Sequence, residues 1–110
     1  MKYLTRQEEL VLLSVFHLRE NAYLVTIQNH LNKVTDKKWS LSSVYVPLSR
    51  LEKNGYLHCT VGEATEKRGG KGIKYYSISQ KGAKALADLR NVYERMWKGT
   101  GELVMKEQKG

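Results

Sequence analysis

Partway along this chain the spacing of apolar residues changes period, and that change limits the folds open to it. From residue 10 to residue 51 apolar positions recur mostly at intervals of three and four, as on a helix with one buried face. From residue 57 to residue 78 they alternate, as on a strand, around a polar, glycine-rich stretch at 62–72. Helical spacing returns over 80–98. The order is three helices, a hairpin and a long helix, a mainly α fold with a small β-hairpin.

Local signals place the elements. Thr5 and Glu8 have the S/T-x-x-E spacing of a capping box and open a first helix whose dense apolar run, Leu10 to Leu18, makes it central. After the polar break Arg19-Glu20-Asn21, the stripe Leu24, Ile27, Leu31 and Val34 predicts a second helix, with Gln28, Asn29, Asn32 and Lys33 pointing outward. Asp36-Lys37-Lys38 forms a charged connection, and Trp39 is apolar enough to be partly buried. Ser40, Ser42 and Ser43 each suit the N-cap of a third helix with Val44, Leu48 and Leu51 inward. Pro47 donates no hydrogen bond, so either that helix begins near Ser43 or its first turn is distorted. Asn54-Gly55 ends it, because glycine accepts the left-handed C′ conformation. In the hairpin, Leu57, Cys59 and Val61 share a face, as do Tyr76 and Ile78. Ser79 caps the last helix, from about 80 to 98, with Leu86, Leu89, Tyr93 and Met96 on one stripe.

With 110 residues, 41% of them hydrophobic and 27% charged, the chain reads as one compact domain that folds without disulfide or metal. The lone Cys59 cannot form an internal bridge and fits a reducing compartment. The first residues lack an export signal and no apolar run approaches a membrane span, so the reading is a cytoplasmic protein without a membrane partner. Nineteen Lys and Arg against eleven Asp and Glu give a net charge of +8, a field that favours polyanions. Four of those cations, Lys67, Arg68, Lys71 and Lys74, fall in the hairpin, with no acid between Lys67 and Lys74.

Three small helices followed by a basic hairpin make the winged helix-turn-helix arrangement. There the helix after the turn enters the major groove of double-stranded DNA and the wing reaches the adjacent backbone. The predicted reading face carries Ser42, Ser43, Tyr45, Ser49 and Arg50, with Lys53 beyond; Arg50 and Lys53 either reach DNA or serve as surface charges. Lys67, Arg68, Lys71 and Lys74 are the predicted phosphate contacts of the wing.

The segment from Ser43 to Leu57, with its Tyr, Arg-Leu-Glu and following Gly, resembles the third helix of PadR-type regulators. The run Gly69 to Gly82, a basic turn, Lys-Tyr-Tyr, a short apolar strand and a Ser-x-x-Gly helix start, is similar to their wing. The resemblance spans roughly residues 5 to 97. It departs at one place: the family usually has Pro directly after the Tyr, whereas here Val46 intervenes and the proline is Pro47. The resemblance implies a winged helix that dimerises through its C-terminal helix and acts as a repressor. It also implies, for some members, a response to aromatic ligands near the dimer interface.

The residues themselves support dimerisation through the last helix. Leu86, Leu89, Val92, Tyr93, Met96 and Trp97 form an apolar surface that a monomer this small has little left to cover. A two-fold dimer would present two reading helices to a pseudo-palindromic operator. Tyr93 and Trp97 either pack in that interface or sandwich a planar aromatic effector. The division expected is a DNA-binding domain at 1–79, a dimerisation helix at 80–98 and a flexible tail at 99–110.

No catalytic, cofactor or metal signature is present. His17, His30 and His58 lack metal-ligand spacing and read as buried or satisfied structural histidines, and Gly69-Gly70-Lys71-Gly72 precedes a strand rather than opening a helix. The reading is a non-enzymatic transcriptional regulator. The alternative is a winged-helix module that uses the same surfaces to bind a protein.

Overall fold

A computed structural model describes residues 3–62 and 72–103. Helix α1 (Arg6–Leu18) runs into a 3-10 turn at Arg19–Asn21 and is followed by α2 (Leu24–Thr35) and α3 (Leu41–Lys53). Strands β1 (Leu57–Val61) and β2 (Lys74–Ile78) then form an antiparallel pair, and α4 (Gln80–Trp97) closes the order. The predicted fold class stands: a mostly helical winged helix-turn-helix with a two-stranded hairpin.

Local sequence decides the helix ends. In the capping box Glu8 N–H donates to Thr5 Oγ1 (3.1 Å) and Thr5 N–H to Glu8 Oε1 (2.8 Å), which satisfies two donors that helix geometry leaves unpaired. At the end of α3, Gly55 takes φ +83, and the N–H groups of Gly55 and Tyr56 donate back to the carbonyls of Glu52 and Leu51. That reverse turn requires the left-handed residue glycine provides. Ser79 then joins two elements: its hydroxyl donates to the Gly55 carbonyl (2.6 Å) and accepts from Gly82 N–H (3.0 Å). A Cβ on Gly82 would collide with the Tyr56 carbonyl oxygen, so only glycine lets α4 start this close to the end of α3.

Helix α1 is the hub, packing against α2, α3, α4 and β2. Val11, Leu12 and Val15 meet Ile27 and Leu31 of α2, Val44, Leu48 and Leu51 of α3, and Tyr56, Leu57 and Tyr76 around the hairpin. Each fully buried aliphatic side chain contributes roughly 1.5–3 kcal/mol relative to an exposed one. The core also takes Ala22, which follows the polar break and whose carbonyl accepts from Tyr76 N–H (2.9 Å), tying the wing to the segment after α1.

Several expectations change. Of the three N-cap candidates Ser40 is the cap, so helix α3 starts at Leu41 rather than near Ser43, and it runs through Pro47, which is buried. The ring sits on the inner face, where its apolar surface gains from the core what the forgone backbone hydrogen bond costs. Val34 is exposed although it shares the face of Ile27, because it stands in the last turn of α2, beyond the reach of the core. Val61 shares the face of Leu57 but lies beyond the core and is exposed. Gln28 and Asn32 are half-buried rather than outward, for a reason that concerns the site.

Candidate nucleic-acid interface

The turn between α2 and α3 is built around Trp39. Gln28 Nε2 donates to its carbonyl (2.7 Å), its backbone N–H donates to Asn32 Oδ1 (2.7 Å), and its indole N–H donates to Thr35 Oγ1 (3.0 Å). Thr35 in turn donates to the Leu31 carbonyl (2.7 Å). Asp36 ends α2 in the left-handed conformation (φ 54), and Ser40 caps α3 directly after the tryptophan. Every polar group of Trp39 therefore has a partner on α2, and the angle at which α3 leaves the turn is set by three hydrogen bonds rather than by a loop.

Helix α3 keeps one face buried and the other free. Val44, Pro47, Leu48 and Leu51 face the core. On the opposite side Ser42, Val46, Ser49 and Lys53 fall on one stripe by their spacing of four, three and four. Tyr45 flanks that stripe and is exposed. Ser43 and Arg50 lie on the other flank, where they line a hollow with Thr5 and Gln7 at the start of α1. All five predicted reading residues thus belong to the outward half of α3; Ser42, Ser43, Tyr45 and Arg50 are exposed and Ser49 is half-buried. The residue missed is Val46, 45% exposed in the middle of the stripe. The sequence reading assigned it to neither face, and the signal that places it outside is its helix phase relative to Val44 and Leu48.

Of the four predicted wing cations, Lys67, Arg68 and Lys71 lie outside the described residues. Lys74 opens β2, paired with Val61 at the loop end of the ladder, and its Nζ donates to Glu52 Oε1 of α3 (2.8 Å) and sits 5.6 Å from the centre of the Tyr76 ring. The carboxylate hydrogen bond holds the Lys74 ammonium well above its ordinary pKa. Both side chains are partly exposed, so the pair contributes little to stability, about 0–1 kcal/mol, but it brackets the wing to the reading helix. It also neutralises Glu52, the one acid in α3, so that Arg50 and Lys53 set the net charge of that helix. Neighbouring Cys59 is half-buried, and burial pushes its thiol above the usual value, which keeps it protonated at neutral pH.

A second surface lies between α1 and α4. Leu13 and Phe16 of α1, with Leu86, Leu89, Tyr93 and Trp97 of α4, line an open, mainly apolar groove of about 650 Å³. Phe16 is 50% exposed, Met96 71% and Trp97 62%, while Leu86, Leu89, Val92 and Tyr93 are half-buried. Tyr93 also ties the two helices together, because its hydroxyl donates to Glu9 Oε2 (2.5 Å), a carboxylate that lies 3.9 Å from Arg6 Nε. That hydrogen bond raises the Tyr93 pKa, burial adding to it, because an ionised phenol would face the Glu9 charge. Among the described residues the groove is therefore latched at this point and otherwise open.

The histidines correct the sequence reading. His17 and His58 are exposed and His30 is half-buried. His17 and His30 approach with ring centres 5.6 Å apart, and His30 is held below its ordinary pKa by burial first and then by the positive charge of His17 and Lys33. Among the described residues no group of three potential ligands could hold a metal ion, and no helix is long and apolar enough to cross a membrane.

A cap-locked turn, an outward helix and a bracketed hairpin define a winged helix-turn-helix. No family model and no curated protein matches the sequence. Solved structures do match. A transcriptional regulator from Clostridium thermocellum superposes with TM-score 0.70 at 24% identity over 89% of each chain. A PadR family transcriptional regulator from Eggerthella lenta superposes with TM-score 0.68 at 26% identity, over 90% of this chain and 84% of that one. A PadR-like transcriptional regulator from Bacillus cereus gives 0.65 at 24%, over 94% and 91%. The fold is the PadR-type winged helix, as the two sequence motifs implied.

Proposed function

We propose that the chain is a sequence-specific double-stranded DNA-binding transcriptional regulator, a repressor that acts as a homodimer on a pseudo-palindromic operator. The observation that carries this reading is the outward half of α3: a helix held at a fixed angle by the Trp39 hydrogen bonds, its one acid neutralised, and set beside a basic hairpin. In that role Ser42, Ser43, Tyr45, Ser49 and Arg50 meet base edges and phosphates in the major groove, and Lys67, Arg68 and Lys71 meet the adjoining backbone. Lys74 holds the wing in place through Glu52.

The groove between α1 and α4 supports the dimer. Its occupant in this reading is the α4 helix of a second copy, which would cover Phe16, Leu89, Met96 and Trp97 together. A planar aromatic effector entering beside Trp97 would relieve repression by favouring one relative angle of the two reading heads over the other.

Fluorescence anisotropy with labelled duplex DNA across a salt series tests the central reading. Each phosphate contact contributes about 0.9 to the slope of log K against log salt, so replacing Lys67, Arg68 and Lys71 together by Ala lowers that slope by about 2.7 per protomer, or about 5.4 for the dimer. An unchanged slope overturns the wing assignment. Absence of binding to any duplex at low ionic strength overturns the regulator reading and leaves the protein-binding module.

A further inference from the structure

We propose that Val46 reads the C5-methyl group of thymine, so that the operator carries an A·T pair opposite the middle of α3. This rests on the reading of α3 as the major-groove helix and assigns what its central residue recognises.

The three serines of the reading face can each donate or accept, so they discriminate weakly among base edges. Val46 differs: it sits between Ser42 and Ser49 on the outward stripe, 45% exposed, with no hydrogen-bonding group. Pressed against the polar edge of a G·C pair it would strip water from donors and acceptors and return nothing. The one apolar group in the major groove is the thymine methyl, and contact with it removes apolar surface from water on both sides.

The side chain is also preorganised for such a contact. A β-branched residue on a helix is confined almost entirely to one χ1 rotamer, and the following residue, Pro47, is buried and further limits the backbone at position 46. Charge favours the same occupant. Glu52 is neutralised by Lys74, so the surroundings of Val46 carry Arg50 and Lys53 and suit a polyanionic groove. This is also the place where the chain departs from the PadR-type pattern, with Val where the family has Pro.

The test uses the highest-affinity duplex recovered from a random pool by the full-length protein, synthesised with thymine and then with deoxyuridine at single positions, which deletes only the methyl. At one position per half-site the wild-type protein should bind the deoxyuridine duplex about fourfold more weakly. Val46→Ala should lose a similar factor on the thymine duplex and be indifferent to deoxyuridine at that position, with the salt slope unchanged because no phosphate contact is removed. Equal binding of thymine and deoxyuridine duplexes by the wild type overturns the assignment without needing any variant, as does a Val46→Ala protein that keeps the full thymine preference. Failure of the pool to enrich any sequence overturns the major-groove reading of α3 itself, and this assignment with it.

Discussion

The turn before α3 and the groove between α1 and α4 are finished in opposite ways. At the turn, Trp39 is a large aromatic residue whose carbonyl, backbone N–H and indole N–H are all satisfied within the same chain. In the groove, Phe16 and Trp97 stay half or more exposed, and among the described residues Tyr93 is fastened, through Glu9. The turn is complete as a monomer because its polar groups close on one another over a short span. The groove has one internal latch and an apolar remainder that the described residues leave open. A fixed reading head joined to an open face is what a two-headed DNA reader requires.

Breaking the groove should give the largest effect. Leu89→Asp puts a charge into the proposed interface, and sedimentation at micromolar concentration should find a monomer. Losing the second head should weaken operator binding by 10²-fold or more, roughly the lower end of the gain from linked sites. A variant that sediments like the wild type would remove the contrast between the two regions.

Breaking the turn should act on stability and on the angle of α3, and leave self-association unchanged. Asn32→Ala leaves the Trp39 backbone N–H without its acceptor, a cost of about 1–3 kcal/mol, and should lower the melting temperature by roughly 4–20 °C without changing its dependence on protein concentration. Tyr93→Phe sharpens the comparison, since it removes the latch and keeps the ring. A loss of about 1 kcal/mol, together with wild-type self-association, would separate the intrachain bond from the interface.

The smallest effect concerns the paired histidines on α1 and α2. His30 has a folded pKa below its unfolded value of about 6.5, so the folded state favours its neutral form. Stability from this source is complete above pH 6.5 and declines as pH falls from there through the folded pKa. Thermal melts at about pH 7.5 and about pH 5.5, on either side of the ordinary histidine pKa, should show a fall in the wild type that is reduced in His30→Gln.

Much of the fold was legible because its signals are local. The Thr5 and Glu8 capping box, Gly55 after α3, and Ser79 with Gly82 at the start of α4 act within three or four residues of one another, and each stands where the pattern placed it. The outward half of α3 was legible in part, since helical spacing separates Ser42, Tyr45 and Ser49 from Val44 and Leu48. Val46 escaped because the signal that places it outside is helix phase alone, and Gln28 and Asn32 because a polar residue beside an apolar stripe normally faces water.

Sequence alone settled the order of elements, the Thr5 and Ser79 caps and the basic character of the hairpin, since these depend on backbone propensity, nearby hydrogen bonds and charge count. Tertiary structure decided which distant groups meet: Lys74 with Glu52, Tyr93 with Glu9, His17 with His30, and Trp39 with three residues of α2. Those pairings depend on how α1, α2 and α3 close around one shared core. No local pattern encodes that closure, because it follows from burying all the apolar faces at once.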